Sequence, residues 1–371
     1  MKTIQAIKLL LEDCRQRIDR IVALTKKDYE AQVKEEIEVT MERLKNLYML
    51  FPDLMPVNDT DNMTPEDVQH MIENLENRVE GKYSAHLLPT GNVLCDEICG
   101  YKIVTPAFSA WQGGTAKEGN FVISYGKSEV NDAEAALSYL IENMILALPI
   151  KRVHLNFVTL NYATTASGLM KKLDKSLFYF ISDTKELDTF CSNMDKRMQD
   201  VLQNCGGDLV SYNDANKTML YPYEVVVLMD YPNETYEYSV KKLNVLLENG
   251  HKGGIYFVIM NNTDNVVDRS TLQVKMDDLA TPINLKAFAK ANPVSRLDDG
   301  VIGKAFIKYV SEKAKKKDLL ELDKRGQPRK HVSHGKVRGI RAIVIKTDYG
   351  NEIPIDSGFV TSDMDEIPFD D

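Results

Sequence analysis

The stretch FVISYGKSEVNDAEAALSYLIENMILAL, residues 121–148, decides how this chain folds. Phe121–Tyr125 is a short β-run, Gly126-Lys127-Ser128 follows, and residues 131–148 carry apolar side chains at helical spacing until Pro149 stops them. A strand that turns through Gly-Lys-Ser into a helix is how a nucleotide-binding phosphate loop ends. The same rhythm continues downstream. VHLNFVTL (153–160) and LFYFIS (177–182) read as strands, and TKELDTFCSNMDKRMQDVLQNC (184–205) reads as a helix ending at Gly206-Gly207. EVVVLMD (224–230) and GIYFVIMNN (254–262) are near-continuous apolar runs, the mark of strands buried on both faces. Between them, YEYSVKKLNVLLENG (236–250) is a helix with Gly250 as its C-cap. Alternating strands and helices of this kind predict an α/β fold: a P-loop-NTPase-like parallel sheet flanked by helices.

A working phosphate loop needs G-x-x-x-x-G-K-[ST], with backbone amides around the phosphates, a lysine reaching them and a hydroxyl on Mg²⁺. Here Gly126, Lys127 and Ser128 supply the end of that motif, but the first glycine would fall at Phe121. The amides of Lys127 and Ser128 could still form a modest anion site at a helix start. Glu129, Asp132 and Glu134 suit the helix dipole but repel phosphate. In the structural alternative Gly126 turns the chain, Ser128 caps the helix and Lys127 is solvated. A second near-match, GVIGKA (300–305), has too short a spacer and no hydroxyl after Lys304. Asp230, at the end of a buried strand, stands where an ATPase keeps its Mg²⁺-binding acid. Tyr231 follows where a second acid is usual, and Asp230 could equally cap the turn Asp-Tyr-Pro-Asn. Gly126, Lys127, Ser128 and Asp230 are therefore the candidate residues for ATP and Mg²⁺. No catalytic residue is assigned, and no cofactor is expected unless this degenerate site takes ATP.

The first 82 residues read as helical. Ile7, Leu11, Cys14, Ile18 and Ile21 form one coiled-coil-like seam, and Ile37, Met41, Leu44, Tyr48 and Phe51 form another. Such seams need a partner, within the chain or in another copy. A third helix starts at Thr64-Pro65-Glu66-Asp67 and carries Val68, Met71, Ile72, Leu75 and Val79 as its apolar stripe. The longest apolar runs fall far short of a membrane span, and charges return too early at the N-terminus for a signal peptide, so a cytoplasmic protein is expected. The five cysteines have no disulfide-framework spacing. Cys95 and Cys99, in CDEIC, could share one side of a helix and touch a metal, but no second ligand pair accompanies them, and no metal is assigned.

The net charge of −9 hides a split. Residues 304–341 hold thirteen Lys/Arg against four Asp/Glu, leaving −18 for the other residues. VIGKAFIKYVSEKAKKKDLLEL (301–322) reads as an amphipathic helix, DKRGQPRKHVSHGKVRG (323–339) as a basic linker, and IRAIVIKTDYGNEIPID (340–356) as a β-hairpin. Lys315, Lys316, Lys317, Arg325, Arg329 and Lys330 are the core of a candidate nucleic-acid contact, in which phosphates would supply a steep salt dependence. The alternatives are a solvated helix face or a contact with the chain's own acidic tail. That tail, MDEIPFDD (364–371), is similar to the partner-binding tips of bacterial single-strand binding proteins, although here Asp370 and Asp371 follow the Phe.

The succession VTPAFSAWQGG, NFVISYGKSEVNDAEAALSYLIENMILALP, KRVHLNFVTL, YPYEVVVLMDYP and VKKLNVLLENGHKGGIYFVIMNN resembles a domain of FtsK/SpoIIIE-type ATPases. That family contains DNA translocases and type VII secretion ATPases. The likeness is closest to the degenerate ATPase-like module that precedes the motor. It spans roughly residues 88–300. Together with the patterns on either side, which the likeness does not cover, the expected organisation is a helical assembly domain over 1–82, a degenerate ATPase domain over 88–300, a basic helix and linker over 301–339, and a β-hairpin with acidic tail over 340–371. It implies a non-catalytic scaffold or regulatory module of a translocating or secretion assembly. The partners would be an FtsK-type motor or further copies met through the helical N-terminus. DNA binding through 304–341, and an ATPase completed by neighbouring subunits, are the alternatives.

Overall fold

The computed structural model describes residues 12–21, 23, 30–50, 64–98, 101–160, 173–231, 239–265, 276–291, 301–315, 331–337, 340–346 and 352–354. A helical stretch over 12–21 lies against α1 (Glu30–Leu50). Ile18 and Ile21 share one small apolar cluster with Val33 and Ile37. The Arg17 guanidinium reaches Glu36 at 2.7 Å, and Arg43 pairs with Asp13. Parts of the two seams therefore cover each other within the chain. The expected seam position of Met41 is 44% exposed, and Thr40 is buried in its place, bonding back to the Glu36 carbonyl at 2.8 Å. Ile7, Leu11 and Phe51 lie outside the described residues. Helix α2 (Pro65–Val79) starts as its sequence dictates. Thr64 accepts from the Asp67 amide, the Asp67 carboxylate accepts from the Thr64 amide, and Pro65 opens the first turn.

A long antiparallel hairpin comes next, β1 (Leu88–Ile98) and β2 (Tyr101–Ser109). The CDEIC stretch thus begins on a strand, not on a helix, because Cys95 falls inside β1; Cys99 lies outside the described residues. The remaining strands of the core are β3 (Phe121–Tyr125), β4 (Val153–Val158), β5 (Phe178–Ile181), β6 (Tyr223–Leu228), β7 (Ile255–Asn262) and the short β8 (Thr281–Pro282). They form one sheet in the order β5-β4-β6-β7-β3-β8, with every neighbouring pair parallel. The longer helices between them are α3 (Val130–Leu146), α4 (Thr184–Asn204), α5 (Leu209–Asn216) and α6 (Val240–Asn249), followed by α7 (Leu285–Ala291) and α8 (Val301–Lys315). This is the helix-covered parallel sheet of a P-loop-NTPase-like α/β fold, as expected from the sequence.

Both sheet faces are packed, which is why the strands read as unbroken apolar runs. Phe121, Ile123, Leu155, Val225, Val227, Val258 and Met260 lie in one core with α3. Val122, Val158, Val226, Leu228, Phe257 and Ile259 lie in the other, against α4 and α6. Phe306, Tyr309, Val310 and Ala314 of α8 join the first core together with Met71, Leu75 and Val79 of α2. The amide of Gly250 closes α6 on the Leu246 carbonyl, but in a right-handed conformation. The residue that needs to be glycine is Gly254, with φ 71°, where an added Cβ would lie 2.7 Å from the Tyr223 ring. Past the core, β9 (His331–Val337) comes from the basic stretch read as a linker. It pairs with β10 (Ile340–Lys346), which also pairs with β11 (Glu352–Pro354).

A buried ion pair interrupts the apolar layer. Glu224 on β6 and Arg197 on α4 are both buried, with 3.5 Å between Nη1 and Oε1. Arg197 also donates to the Gly253 carbonyl at 2.9 Å and the Pro222 carbonyl at 2.6 Å. Asn156 donates to the other Glu224 oxygen at 2.7 Å, and the His154 ring lies 3.6 Å away. Burial pushes the Arg197 guanidinium down from its ordinary value, and the Glu224 carboxylate opposes that shift. The network ties α4 and the turn before β7 to the central strand.

Candidate functional site

Strands β6, β7 and β3 are adjacent and parallel, so their C-terminal ends meet at one edge of the sheet. Open α/β sheets bind their ligands at that edge. The fold brings Gly126, Lys127 and Ser128 there from β3, and Asp230 from β6, with the end of β7 between them. The four residues singled out in the sequence share one edge.

The phosphate-loop half is short. Strand β3 runs to Tyr125, paired with β7 from Phe121↔Val258 through Tyr125↔Asn262. A single 3₁₀ turn, Lys127–Glu129, then leads directly into α3. No residues remain to encircle a triphosphate. Two backbone amides at the turn are also occupied. Gly126 N donates to Glu129 Oε2 at 3.1 Å, and Lys127 N donates to Asp264 Oδ2 at 2.6 Å. Ser128 is not the cap expected of it: the N-cap of α3 is Glu129, which makes no side-chain cap bond, and Ser128 and the Lys127 side chain are exposed. Gly126 has φ −98°, an ordinary value for any residue. An added Cβ there meets nothing closer than 3.7 Å. Gly126→Ala should therefore leave stability within about 0.5 kcal/mol of the parent, measured by denaturant melts. A loss above about 2 kcal/mol would mean that the turn is tighter than this geometry allows.

The acidic half is equally committed. Asp230 has φ 52°, a left-handed conformation uncommon outside glycine, asparagine and aspartate. Its Oδ1 accepts from Asn265 Nδ2 at 2.9 Å. Tyr231, where a second acid would stand, is fully buried in the core beside Val226 and Leu228. Burial raises its phenol well above the ordinary range, so it is no proton acceptor for water.

Thr263, Asp264 and Asn265 join the two halves. Thr263 donates to the Tyr125 carbonyl through N at 2.9 Å and through Oγ1 at 3.1 Å. The Asp264 amide donates to Asn262 Oδ1 at 3.0 Å. Sequence reasoning missed these three residues. Their one local signal is a run of turn-forming side chains, NNTDN, directly after a buried strand.

Of the basic candidates, Lys315 is described, exposed at the end of α8 with Lys304 and Lys308 also exposed. Lys313 pairs with Glu76 of α2 and lies 5.7 Å from the Tyr309 ring centre. Lys316, Lys317, Arg325, Arg329, Lys330 and the acidic tail lie outside the described residues. Among the described residues no group of three His, Cys, Asp or Glu side chains could hold a metal ion, and no helix is long and apolar enough to cross a membrane.

No family model matches the chain, and no curated protein matches it. Solved structures similar to it include EssC (ATPases 2 and 3) from Geobacillus thermodenitrificans, at 13% identity and TM-score 0.40, over 64% of this chain and 50% of that one. Another is Thermomonospora curvata EccC (ATPases 2 and 3) in complex with a signal sequence peptide, at 13% identity and TM-score 0.44, over 73% and 56%. A third is the pCW3 conjugation coupling protein TcpA with ATPγS, at 10% identity and TM-score 0.36, over 74% and 66%. The chain is similar in structure to domains of type VII secretion ATPases and of a conjugation coupling protein, and spans about half the length of the first two.

Proposed function

We propose that this chain is a non-catalytic ATPase-like module, a scaffold or regulator within an FtsK/SpoIIIE-type translocating or secretion assembly. The observation that carries this is the run of β3 through Phe121–Tyr125, residue by residue against β7, where a working site would have its phosphate loop. ATP needs backbone donors wrapped around its phosphates and a free acid for Mg²⁺. Here the amides of Gly126 and Lys127 hold carboxylates, and Asp230 holds a carboxamide. A module of this kind contributes shape and contact surfaces in place of turnover. The sequence resemblance supplies the company it keeps: a motor domain or further copies of itself. A phosphate-release assay on the purified chain, with and without duplex DNA, tests the absence of turnover. Release stimulated by DNA and lost in Asp230→Asn would overturn it.

A further inference from the structure

We propose that Thr263-Asp264-Asn265 is an internal ligand that stands in for a Mg²⁺-nucleotide and locks the ends of β3, β6 and β7 together. This rests on the non-catalytic reading above and adds what holds the site in place of ATP. Two contacts carry it, each on a different half of the site. Asp264 brings a carboxylate, an oxyanion, to the Lys127 amide at 2.6 Å, the donor type that would face a phosphate oxygen. Asn265 brings a carboxamide N–H₂, a partial positive charge, to Asp230 at 2.9 Å, where a cation would bind. Both residues follow directly from β7, and Thr263 fixes their approach through two bonds to the Tyr125 carbonyl. One tripeptide thus matches the charge pattern of a bound metal phosphate, negative toward the turn and positive toward the acid. Three strand ends that a nucleotide would bridge are bridged in cis, so the module keeps one state without nucleotide.

Removal and chemical rescue test this. Asp264→Ala leaves the Lys127 amide without its acceptor and should lower the melting temperature by roughly 3–6 °C. Sodium formate should recover about half of that loss or more, and sodium chloride at equal ionic strength should not. The parent should respond equally to both salts. Asp264→Asn, which keeps an acceptor oxygen, should melt closer to the parent than Asp264→Ala. An unchanged melting temperature in Asp264→Ala, or equal responses to formate and chloride, would overturn the proposal. Amide hydrogen exchange on the unmodified chain provides a second measurement if the variant does not fold. The Lys127 amide should be protected despite its exposed turn, and exchange at the solvent rate would overturn the proposal. Mg²⁺-ATP binding by the parent would instead sink the non-catalytic reading, leaving formate rescue and exchange to decide the lock.

Discussion

Replacing Glu224 by alanine should cost about 3–5 kcal/mol of stability, the loss found when one partner of a buried ion pair is removed. The cause is Arg197. Its guanidinium is buried, and after the change it would face two backbone carbonyls and the Tyr221 ring but no carboxylate partner from β6. Asn156 would lose its acceptor too. Replacing the pair together, Arg197→Met with Glu224→Leu, should cost less than the single change, because Arg197 is then not left in the core without its carboxylate. Urea unfolding of the three proteins measures this, provided that the slope is unchanged. A loss under about 1 kcal/mol for Glu224→Ala would show that water already reaches this network. The network fixes α4 and the turn before β7 against the central strand, so it also sets the position of β7, whose exit carries the residues that fill the site.

Rebuilding the motif on paper should fail in the protein. Phe121→Gly restores the first glycine of the G-x-x-x-x-G-K-S spacing, but Phe121 is a fully buried strand residue between β7 and β8. The change should cost about 3–5 kcal/mol from the emptied core, with roughly a further 0.5–1 kcal/mol for glycine in a strand. No affinity for Mg²⁺-ATP should appear. A phosphate loop is a length of free backbone, and one glycine does not release Val122–Tyr125 from their ladder with β7. If the variant gains micromolar ATP binding, the strand was poised to become a loop, and the degenerate reading is wrong.

What the sequence revealed and what it hid have physical causes. Strands β6 and β7 were legible because burial on both faces removes polar residues, and α3 because Pro149 gives it a hard stop. The β1–β2 hairpin was not, because Pro89, Gly91, Asp96 and Glu97 break the alternation, and the pairing shifts register at two places. The Gly-Lys-Ser turn and Asp230 were legible from their positions after apolar runs. Their partners were not. Asp264 and Asn265 reach them across the sheet from far along the chain, and no local pattern encodes such a bond. Glu224 was visible as a charge opening an apolar strand, but Arg197 looked like any polar residue on an amphipathic helix.

The most direct test of the central claim is a calorimetric titration of Mg²⁺-ATP into the unmodified chain, run beside Lys127→Ala. Both proteins should give only heats of dilution, since the Gly126 and Lys127 amides and the Asp230 carboxylate already hold partners within the chain. Micromolar binding to the parent that disappears in Lys127→Ala would contradict the account.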